Sequence, residues 1–267
     1  MDKTEKPAAR RVHAYCVGQA KSGTGSLWGV FKDAFRAEHE PLRQELLDQV
    51  VRLAGGNVND AAAIAWLRER DRRLGLELDI AWGNFFVLDH LVATFPEAKF
   101  IVLVRDCYTW LNSIVGHLLT REMPGEVRAF MDFWFEPATH PHGPNERGLR
   151  EAGLYSLAAF LDVWKTHVET CVARIPAERM LLVRTHELAR SWDRIAEFLG
   201  VDAGLLDRKS GHINCGAWTG RITSLVDERT IEGAVEEVCG ETMRRFFPET
   251  TRMADAGALY GATRGGA

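Results

Sequence analysis

The sequence lacks the features that assign some protein classes at once. Only five of its 267 residues are cysteine and none forms a C-x-x-C pair, which excludes a disulfide framework and a cysteine zinc site. It has no apolar run long enough for a secretory leader or a membrane span, so we expect a cytoplasmic protein. It also lacks an excess of basic residues, since 33 Lys and Arg stand against 37 Asp and Glu and the formal charge is -4. This charge excludes broad nucleic-acid binding, which depends on phosphate neutralisation.

The composition is that of an ordinary globular chain, with 46% apolar and 26% charged residues. A chain of this length buries enough surface to fold without a metal or a disulfide staple. We therefore predict one domain over residues 1–267. Loose tails are predicted at residues 1–11, which are charged and polar, and at about 254–267, which are rich in Gly and Ala.

Apolar runs and helical periodicity alternate along the chain. Strands are predicted at residues 12–17, 76–81, 99–104 and 180–183. Segments with apolar residues at helical spacing separate them, and the charged stretch 68–73 is predicted to face solvent. This alternation predicts an α/β fold, in which a central parallel β-sheet of about four to five strands is wrapped by helices.

A loop of small residues, 18–26, follows the first predicted strand and precedes a helix, and we call it the glycine loop. Gly18 and Gly23 allow backbone N–H groups and the positive helix end to surround one point, as in P-loop proteins of nucleotide-kinase-like topology. The Walker pattern ends its loop with Gly-Lys-Ser/Thr, whereas Lys21 comes before Gly23 here. The displaced lysine disfavours an ordinary ATPase or GTPase. The alternative is a plain turn with a solvated lysine.

Residues 21–26, Lys-Ser-Gly-Thr-Gly-Ser, resemble the 5′-phosphosulfate loop of sulfotransferases that use 3′-phosphoadenosine 5′-phosphosulfate (PAPS). The usual form of that loop is Pro-Lys-Ser-Gly-Thr-Thr-Trp, and Ala20, Gly25 and Ser26 replace the proline, the second threonine and the tryptophan. Trp28 or another aromatic residue is a candidate for the adenine contact of the missing tryptophan. The resemblance implies that the donor is bound by Lys21, Ser22, Gly23, Thr24, Gly25 and Ser26.

A second signature follows the third predicted strand, which ends at Arg105, with Ser113 eight residues later on a predicted helix. This pair resembles the arginine and serine with which the same family binds the 3′-phosphate. A planar guanidinium forms charge-assisted bonds to phosphate and a serine adds a hydroxyl donor. By itself the pair would also fit a structural ion pair. The blocks 95–106 and 197–201 resemble the family as well, so that the likeness extends over about residues 12–250.

The third family element, Arg-Lys-Gly-x-x-Gly before the last helix, is missing in that form. Residues 212–221 offer asparagine, glycine and arginine in its place. Asn214 and Arg221 are therefore our candidates to complete the 3′-phosphate site, with ordinary turn roles as the alternative.

The resemblance, which is to the bacterial-type branch, implies PAPS as co-substrate, 3′,5′-adenosine bisphosphate (PAP) as product, and no metal. It implies transfer of a sulfuryl group to a hydroxyl or amine of a small-molecule or glycan acceptor. Lys21 would stabilise charge on the bridging oxygen. His140 and His142 have no third ligand nearby, so no metal site is predicted.

The acceptor must lose its proton, and family members carry His, Glu or Asp near the end of the second strand for this purpose. Asp79 is our first candidate because it nears that end, where ligands of parallel sheets collect. His90 on the following helix and Glu77 are the alternatives. A helix cap or salt bridge would also explain Asp79, and His90 fits a core or surface histidine.

An aromatic wall for the acceptor is predicted near the mouth of the site, although aromatic residues also fill cores. Its members are Trp82, Phe85, Phe86, Trp134 and Phe135.

Two other functions remain open at this point, a nucleotide or small-molecule kinase and a nucleotide-binding module without catalysis. Lys21 ahead of Gly23, together with the Arg105 and Ser113 pair, favours the sulfotransferase. The sequence indicates neither the acceptor nor the oligomeric state.

Overall fold

The fold is built on a parallel sheet, seen in a computed structural model that describes residues 9–121, 125–211 and 220–262. Across these residues the sheet has five strands in the order β2-β3-β1-β4-β5, all parallel. The strands are β1 (Ala14–Cys16), β2 (Ala37–His39), β3 (Leu78–Ile80), β4 (Lys99–Val104) and β5 (Met180–Arg184). The predicted α/β fold is confirmed, and all four predicted strands are present.

Helices cover both faces of this sheet. Within the described ranges they are α1 (Thr24–Phe31), α2 (Arg43–Ala54), α3 (Asp60–Leu74), α4 (Leu88–Thr94), α5 (Cys107–Leu119), α6 (Gly125–Phe135), α7 (Arg147–Glu151), α8 (Leu157–Arg174), α9 (Trp192–Leu199), α10 (Glu228–Phe246) and α11 (Met253–Ala262). No helix in the described part of the chain is long and apolar enough to cross a membrane.

The central strand β4 shows why the sheet needs cover on both sides. Phe100, Val102 and Val104 point into the core beneath α5 and α8, whereas Ile101 and Leu103 point into the core beneath α1 and α9. Successive side chains of a strand alternate between faces, so a continuous apolar run is stable only when both faces are buried.

The sequence analysis missed β2, which pairs only with β3 and forms one edge of the sheet. Its three residues, Ala-Glu-His, carry one apolar side chain, and Glu38 is exposed. Polar side chains are typical of edge strands, and this composition hides a strand from a search for apolar runs. The backbone N–H of Glu40 donates to the Ile80 carbonyl (2.9 Å) and so extends the pairing past His39.

The predicted loose tails are wrong for the parts that the structure describes. Arg10 forms an ion pair with Asp71 (2.9 Å), so the chain is held before β1 begins. At the other end, α11 forms where a frayed tail was expected, because Ala256 is fully buried and Asp255 accepts from the Thr251 and Arg252 N–H groups at the start of the helix. The single domain over residues 1–267 stays a prediction.

Glu77 anchors the amino end of β3 and has only 1% of its side chain exposed. Its carboxylate accepts from the backbone and side chain of Arg11 (2.8–2.9 Å) and from the Arg36 N–H (3.0 Å). The hydrogen bonds from Arg11 lower the pKa of Glu77 to about 2.

We expect Glu77→Gln to lower the midpoint of urea unfolding at pH 7. Because the pKa of Glu77 is lower in the folded state, its contribution is complete above about pH 4.5 and disappears as the pH falls to about 2. The difference between wild type and variant should therefore shrink over this range. Exposed Glu69, changed to Gln, is the control, and a difference that does not depend on pH would contradict the assignment.

Candidate functional site

The glycine loop leaves the carboxyl end of β1, between β3 on one side and β4 on the other. Because all five strands of the described sheet are parallel, their carboxyl ends meet at the same edge. Ligands of open parallel sheets bind outside this edge. The predicted loop thus lies where the fold class places its ligand sites.

Backbone geometry opens the loop towards one point. Gly23 has φ of 105° and precedes the first residue of α1, a conformation that favours glycine. A Cβ atom on Gly18 would lie 2.8 Å from Ser22 Oγ, so the chain approaches itself closely there. The first turn of α1 contains no acidic residue. The positive end of the helix therefore faces the loop without a competing carboxylate from that turn.

The loop carbonyls are held on the outside by side chains from other elements. Three are bound in this way: Ala20 accepts from Trp110 Nε1 (2.9 Å), Lys21 from Arg105 Nη1 (3.3 Å) and Ser22 from Thr185 Oγ1 (2.6 Å). In a planar trans peptide the N–H points opposite to the preceding carbonyl. Fixing the Ala20 and Ser22 carbonyls outwards therefore directs the N–H groups of Lys21 and Gly23 to the other side, a geometry that suits an anion. The Ser22 N–H instead donates to the Gln19 carbonyl (3.1 Å), as does the Ser22 hydroxyl (2.6 Å).

Side chains of helix α8 also bind the backbone next to the glycine loop. His167 Nε2 donates to the Val17 carbonyl (2.6 Å), and burial lowers the pKa of His167 to about 4, so that the ring is neutral at pH 7. Trp164 Nε1 donates to the Arg105 carbonyl (2.8 Å). Sequence analysis missed these residues and Thr185. The available signal was a polar side chain within an apolar helix face, as for His167, but it does not identify the partner.

Arg105 follows the last residue of β4 and is bonded to the loop, and Ser113 lies on α5, the helix whose Trp110 also binds the loop. Arg105 donates from Nε to Thr109 Oγ1 (2.9 Å) in addition to its bond to the loop. Both Arg105 and Ser113 are half-buried. Ile222 donates its N–H to Asn112 Oδ1 (2.8 Å), which brings its neighbour Arg221 next to the helix that carries Ser113. Asn214 lies outside the described residues.

Positive charge collects around the loop. Burial together with the nearby charges of Lys21, Arg121 and Arg43 lowers the pKa of His117 to about 4. His117 follows Ser113 by four residues and so shares its face of α5. Basic side chains beside the N–H groups of the glycine loop suit a ligand with several phosphate or sulfate charges.

Asp79 is the middle residue of β3 and is part of a buried ion pair. One carboxylate oxygen is bonded to Arg70 and the other accepts from Asn84 Nδ2 (3.0 Å). Only 2% of the Arg70 side chain is exposed, so the prediction that 68–73 faces solvent is wrong at this position. Arg70 follows Leu67 by one turn on the buried face of α3, where Asp79 compensates its charge.

The other two candidate bases have partners away from the glycine loop. His90 on α4 lies 3.1 Å from Asp60, a residue of α3. Glu77 is at the amino end of β3, opposite the loop, and binds Arg11. A structural ion pair accounts for the position of each carboxylate, with Arg11 for Glu77 and with Arg70 for Asp79.

Glu40 was not predicted as a site residue. It follows the last residue of β2, at the carboxyl edge of the sheet where the glycine loop also begins. Its Oε1 accepts from the Trp82 N–H (3.2 Å), whereas its Oε2 is buried without a hydrogen-bond partner. Its neighbour His39 lies 3.1 Å from Thr24 Oγ1 in the glycine loop. Sequence analysis had no way to place Glu40 here because it did not recognise β2.

Three of the five aromatic residues predicted to form the acceptor wall pack against one another, and a role in acceptor binding stays a prediction. Trp82 stacks on Trp134 with ring centres 5.0 Å apart, and Phe86 packs edge-on against both. Phe135 instead lies fully buried against Tyr155. Trp28 donates to the Ala37 carbonyl (3.2 Å) and therefore packs towards β2.

His140 and His142 both make contacts within the protein, with Asp162 (3.7 Å) and with the Leu154 carbonyl (3.0 Å). Among the residues that the structure describes, no three His, Cys, Asp or Glu side chains are grouped as they would be around a metal.

Comparison with known proteins identifies the class of enzyme. A family model for the sulfotransferase domain matches residues 74–208, just over half of the chain. The chain belongs to this family and is a transferase. The match includes β3, β4 and β5 with Arg105 and Ser113, and the glycine loop precedes it. No curated protein matches the chain.

Three solved structures are similar to the chain at low identity. Sulfotransferase STF1 from Mycobacterium tuberculosis H37Rv is 14% identical, with 87% of this chain and 77% of that chain covered and a TM-score of 0.49. A sulfotransferase from Alicyclobacillus acidocaldarius is 15% identical, with 96% and 100% covered and a TM-score of 0.47. The sulfotransferase domain of the Synechococcus PCC 7002 olefin synthase is 17% identical, with 97% and 98% covered and a TM-score of 0.39.

We expect Asp79→Asn to destabilise the protein by about 3–5 kcal/mol, because it leaves the buried Arg70 without its counter-ion. Urea unfolding at pH 7 measures the loss. Asp89→Asn is the matched control, since Asp89 is 62% exposed and its contact with Arg174 is long (3.8 Å). Equal stability of Asp79→Asn and wild type would show that the ion pair is not structural.

Proposed function

We propose that this sulfotransferase uses PAPS as donor and binds it at the carboxyl edge of β1 and β4. The observation that carries the proposal is the hydrogen bond from Arg105 Nη1 to the Lys21 carbonyl (3.3 Å). This bond joins the two separate sequence signatures, one for each end of the donor, in a single basic site. The outward-turned carbonyls, the absence of acidic residues from the first turn of α1 and the charges around His117 support an anion of this size.

In this proposal the glycine loop holds the 5′-phosphosulfate. Backbone N–H groups of residues 23–26 and the hydroxyls of Thr24 and Ser26 surround its oxygens. Ser22 contributes by shaping the loop, because its N–H and its hydroxyl both donate to the Gln19 carbonyl (3.1 and 2.6 Å). The ammonium group of Lys21 stabilises negative charge on the oxygen between phosphorus and sulfur, where charge develops as the sulfuryl group leaves.

The 3′-phosphate is assigned to Arg105 and Ser113, with Arg221 and Asn214 completing the site. Arg105 gives a planar donor of fixed charge, and its Nε contact with Thr109 orients it. The link from Ile222 to Asn112 supports the placement of Arg221 beside α5.

The acceptor is assigned to the opposite side of the loop, above β3 and β2. Stacked Trp82 and Trp134 offer an apolar wall there, which suits a small molecule or a glycan presented through its ring face. The atom that receives the sulfuryl group is a hydroxyl oxygen or an amine nitrogen.

Calorimetry with PAP and then with ATP tests the donor. We expect tight binding of PAP and weak binding of ATP, because only PAP has the ribose 3′-phosphate that Arg105 and Ser113 would bind. Preference for ATP would support a kinase instead. Binding of PAP without turnover of PAPS, assayed with labelled PAPS against a panel of acceptors, would support a nucleotide-binding module.

We expect Lys21→Ala to lower turnover of PAPS by roughly a hundred-fold or more, the usual effect of losing a group that stabilises developing charge. The unfolding midpoint should stay unchanged. Lys32→Ala, at the far end of α1, is the control. A Lys21→Ala enzyme with near wild-type turnover would remove this role.

We expect Arg105→Ala to weaken PAP binding by roughly 2–5 kcal/mol, the range for a desolvated charge pair that loses one partner. Calorimetry measures the effect, with exposed Arg190→Ala as control. Equal PAP affinity in the variant and the wild type would make Arg105 a purely structural residue.

A further inference from the structure

Glu40 is level with the start of the glycine loop. Its N–H bonds to the Ile80 carbonyl, and Ile80 pairs in register with Cys16 of β1, directly before the loop. Two strand spacings, about 10 Å, separate the backbone of Glu40 from that of β1. Its neighbour His39 contacts Thr24 at the start of α1. Glu40 therefore stands on the side of the loop that the proposed function gives to the acceptor.

The backbone around Glu40 is fixed in an unusual conformation. Glu40 and Leu42 both have left-handed φ angles, of 57° and 50°. Arg70 donates from Nη2 to the Pro41 carbonyl (2.9 Å) between them, while its Nη1 binds Asp79. Non-glycine residues in this conformation persist only where the surroundings impose it, and they cluster at functional sites. The buried ion pair of Arg70 and Asp79 thus positions Glu40.

The carboxylate of Glu40 has one oxygen available for a proton. Oε1 is oriented by the Trp82 N–H, and Oε2 is buried without a partner, a situation that costs free energy unless a donor binds there. Asp79 differs because both of its oxygens are engaged. An acceptor hydroxyl bound against Trp82 is such a donor.

We propose that Glu40 is the general base that takes the proton of the acceptor on Oε2. This inference rests on the proposed function. The acceptor oxygen or nitrogen forms a bond to sulfur as its proton passes to Glu40. The bond from sulfur to the bridging phosphate oxygen breaks, and its electron pair leaves with PAP. Glu40 then releases the proton to solvent, so that no oxidant, reductant or metal is required.

The electrostatic surroundings suit this task. Burial raises the pKa of Glu40 to about 7, and the negative charge of Asp79 adds to the effect. The Trp82 N–H, Arg43 and Arg70 lower the pKa. His39, 3.8 Å away, and buried Cys16 are the other titratable groups nearby. A base with a pKa near the working pH is ionised often enough to act and basic enough to accept a proton.

The test compares Glu40→Gln with Glu38→Gln. Glu38 is on the same strand and exposed, which makes it a matched control. Turnover of PAPS is measured with phenol, 2-naphthol, glucose and water as acceptors. We expect kcat of Glu40→Gln to fall roughly 100- to 10,000-fold, the usual contribution of a positioned base, while PAP affinity and the unfolding midpoint stay unchanged.

Two measurements keep the test independent of how well one variant folds. The wild-type rate should rise with pH to a half-value near 7, because Glu40 must be deprotonated, and this rise should be lost in Glu40→Gln. NMR of the full chain with 13C-labelled glutamate carboxyls should show one group that titrates near pH 7 in wild type but not in the variant. Glu40→Asp, which keeps a carboxylate, should restore part of the rate.

The outcomes separate the two proposals. Wild-type enzyme that neither binds PAP nor releases it from PAPS with any acceptor would overturn the sulfotransferase site and Glu40 with it. Active wild type with an equally active Glu40→Gln would overturn only the role of Glu40. A slow Glu40→Gln that keeps the acidic limb of the pH profile, or that also loses PAP affinity, would make Glu40 a structural residue.

Discussion

Hydrogen bonds from distant side chains to the backbone carbonyls of the glycine loop are the constraint on which the site depends. An isolated loop of this composition would have many conformations, because glycine and small residues restrict the backbone little. Trp110, Arg105 and Thr185 remove that freedom, each by a hydrogen bond to one carbonyl. Since a peptide group is planar, control of the carbonyl is also control of the N–H on its other side. The conformation of the glycine loop is therefore set by residues outside it, and one of them, Arg105, is also the residue to which we assign the 3′-phosphate.

The amino end of the sheet is fixed by ion pairs, in which acids such as Glu77 bind arginines where the chain enters the sheet. The carboxyl end also contains ion pairs, as between Arg184, the last residue of β5, and Glu187. Around the glycine loop, Lys21 and other basic groups lower the pKa of His117. Ion pairing therefore stabilises the fold at both ends, while the positive charge beside the loop suits an anionic ligand.

Sequence was informative where the signal is local and uninformative where it depends on distant partners. The run 99–104, the glycine loop and Arg105 are each recognisable within ten residues, and the structure brings the last two together. The edge strand β2 has no apolar run, so the residue that follows it was overlooked. Asp79 was correctly placed in a strand, but it is the middle residue of β3, and its partner Arg70 lies nine residues earlier on a helix whose charged stretch gives no sign of a buried side. Periodicity predicts elements; it does not predict which polar groups meet in the core.

The contacts that complete the glycine loop are also long in sequence. His167 reaches back 150 residues to Val17, and Thr185 reaches back 163 residues to Ser22. Contacts of this span form late, because closure of a long segment must precede them. During synthesis on the ribosome, the first strand and its loop emerge well before the side chains that bind their carbonyls. The nascent chain therefore lacks this loop conformation until residue 185 has left the exit tunnel, and the site that we propose for the donor forms only when most of the polypeptide has been made.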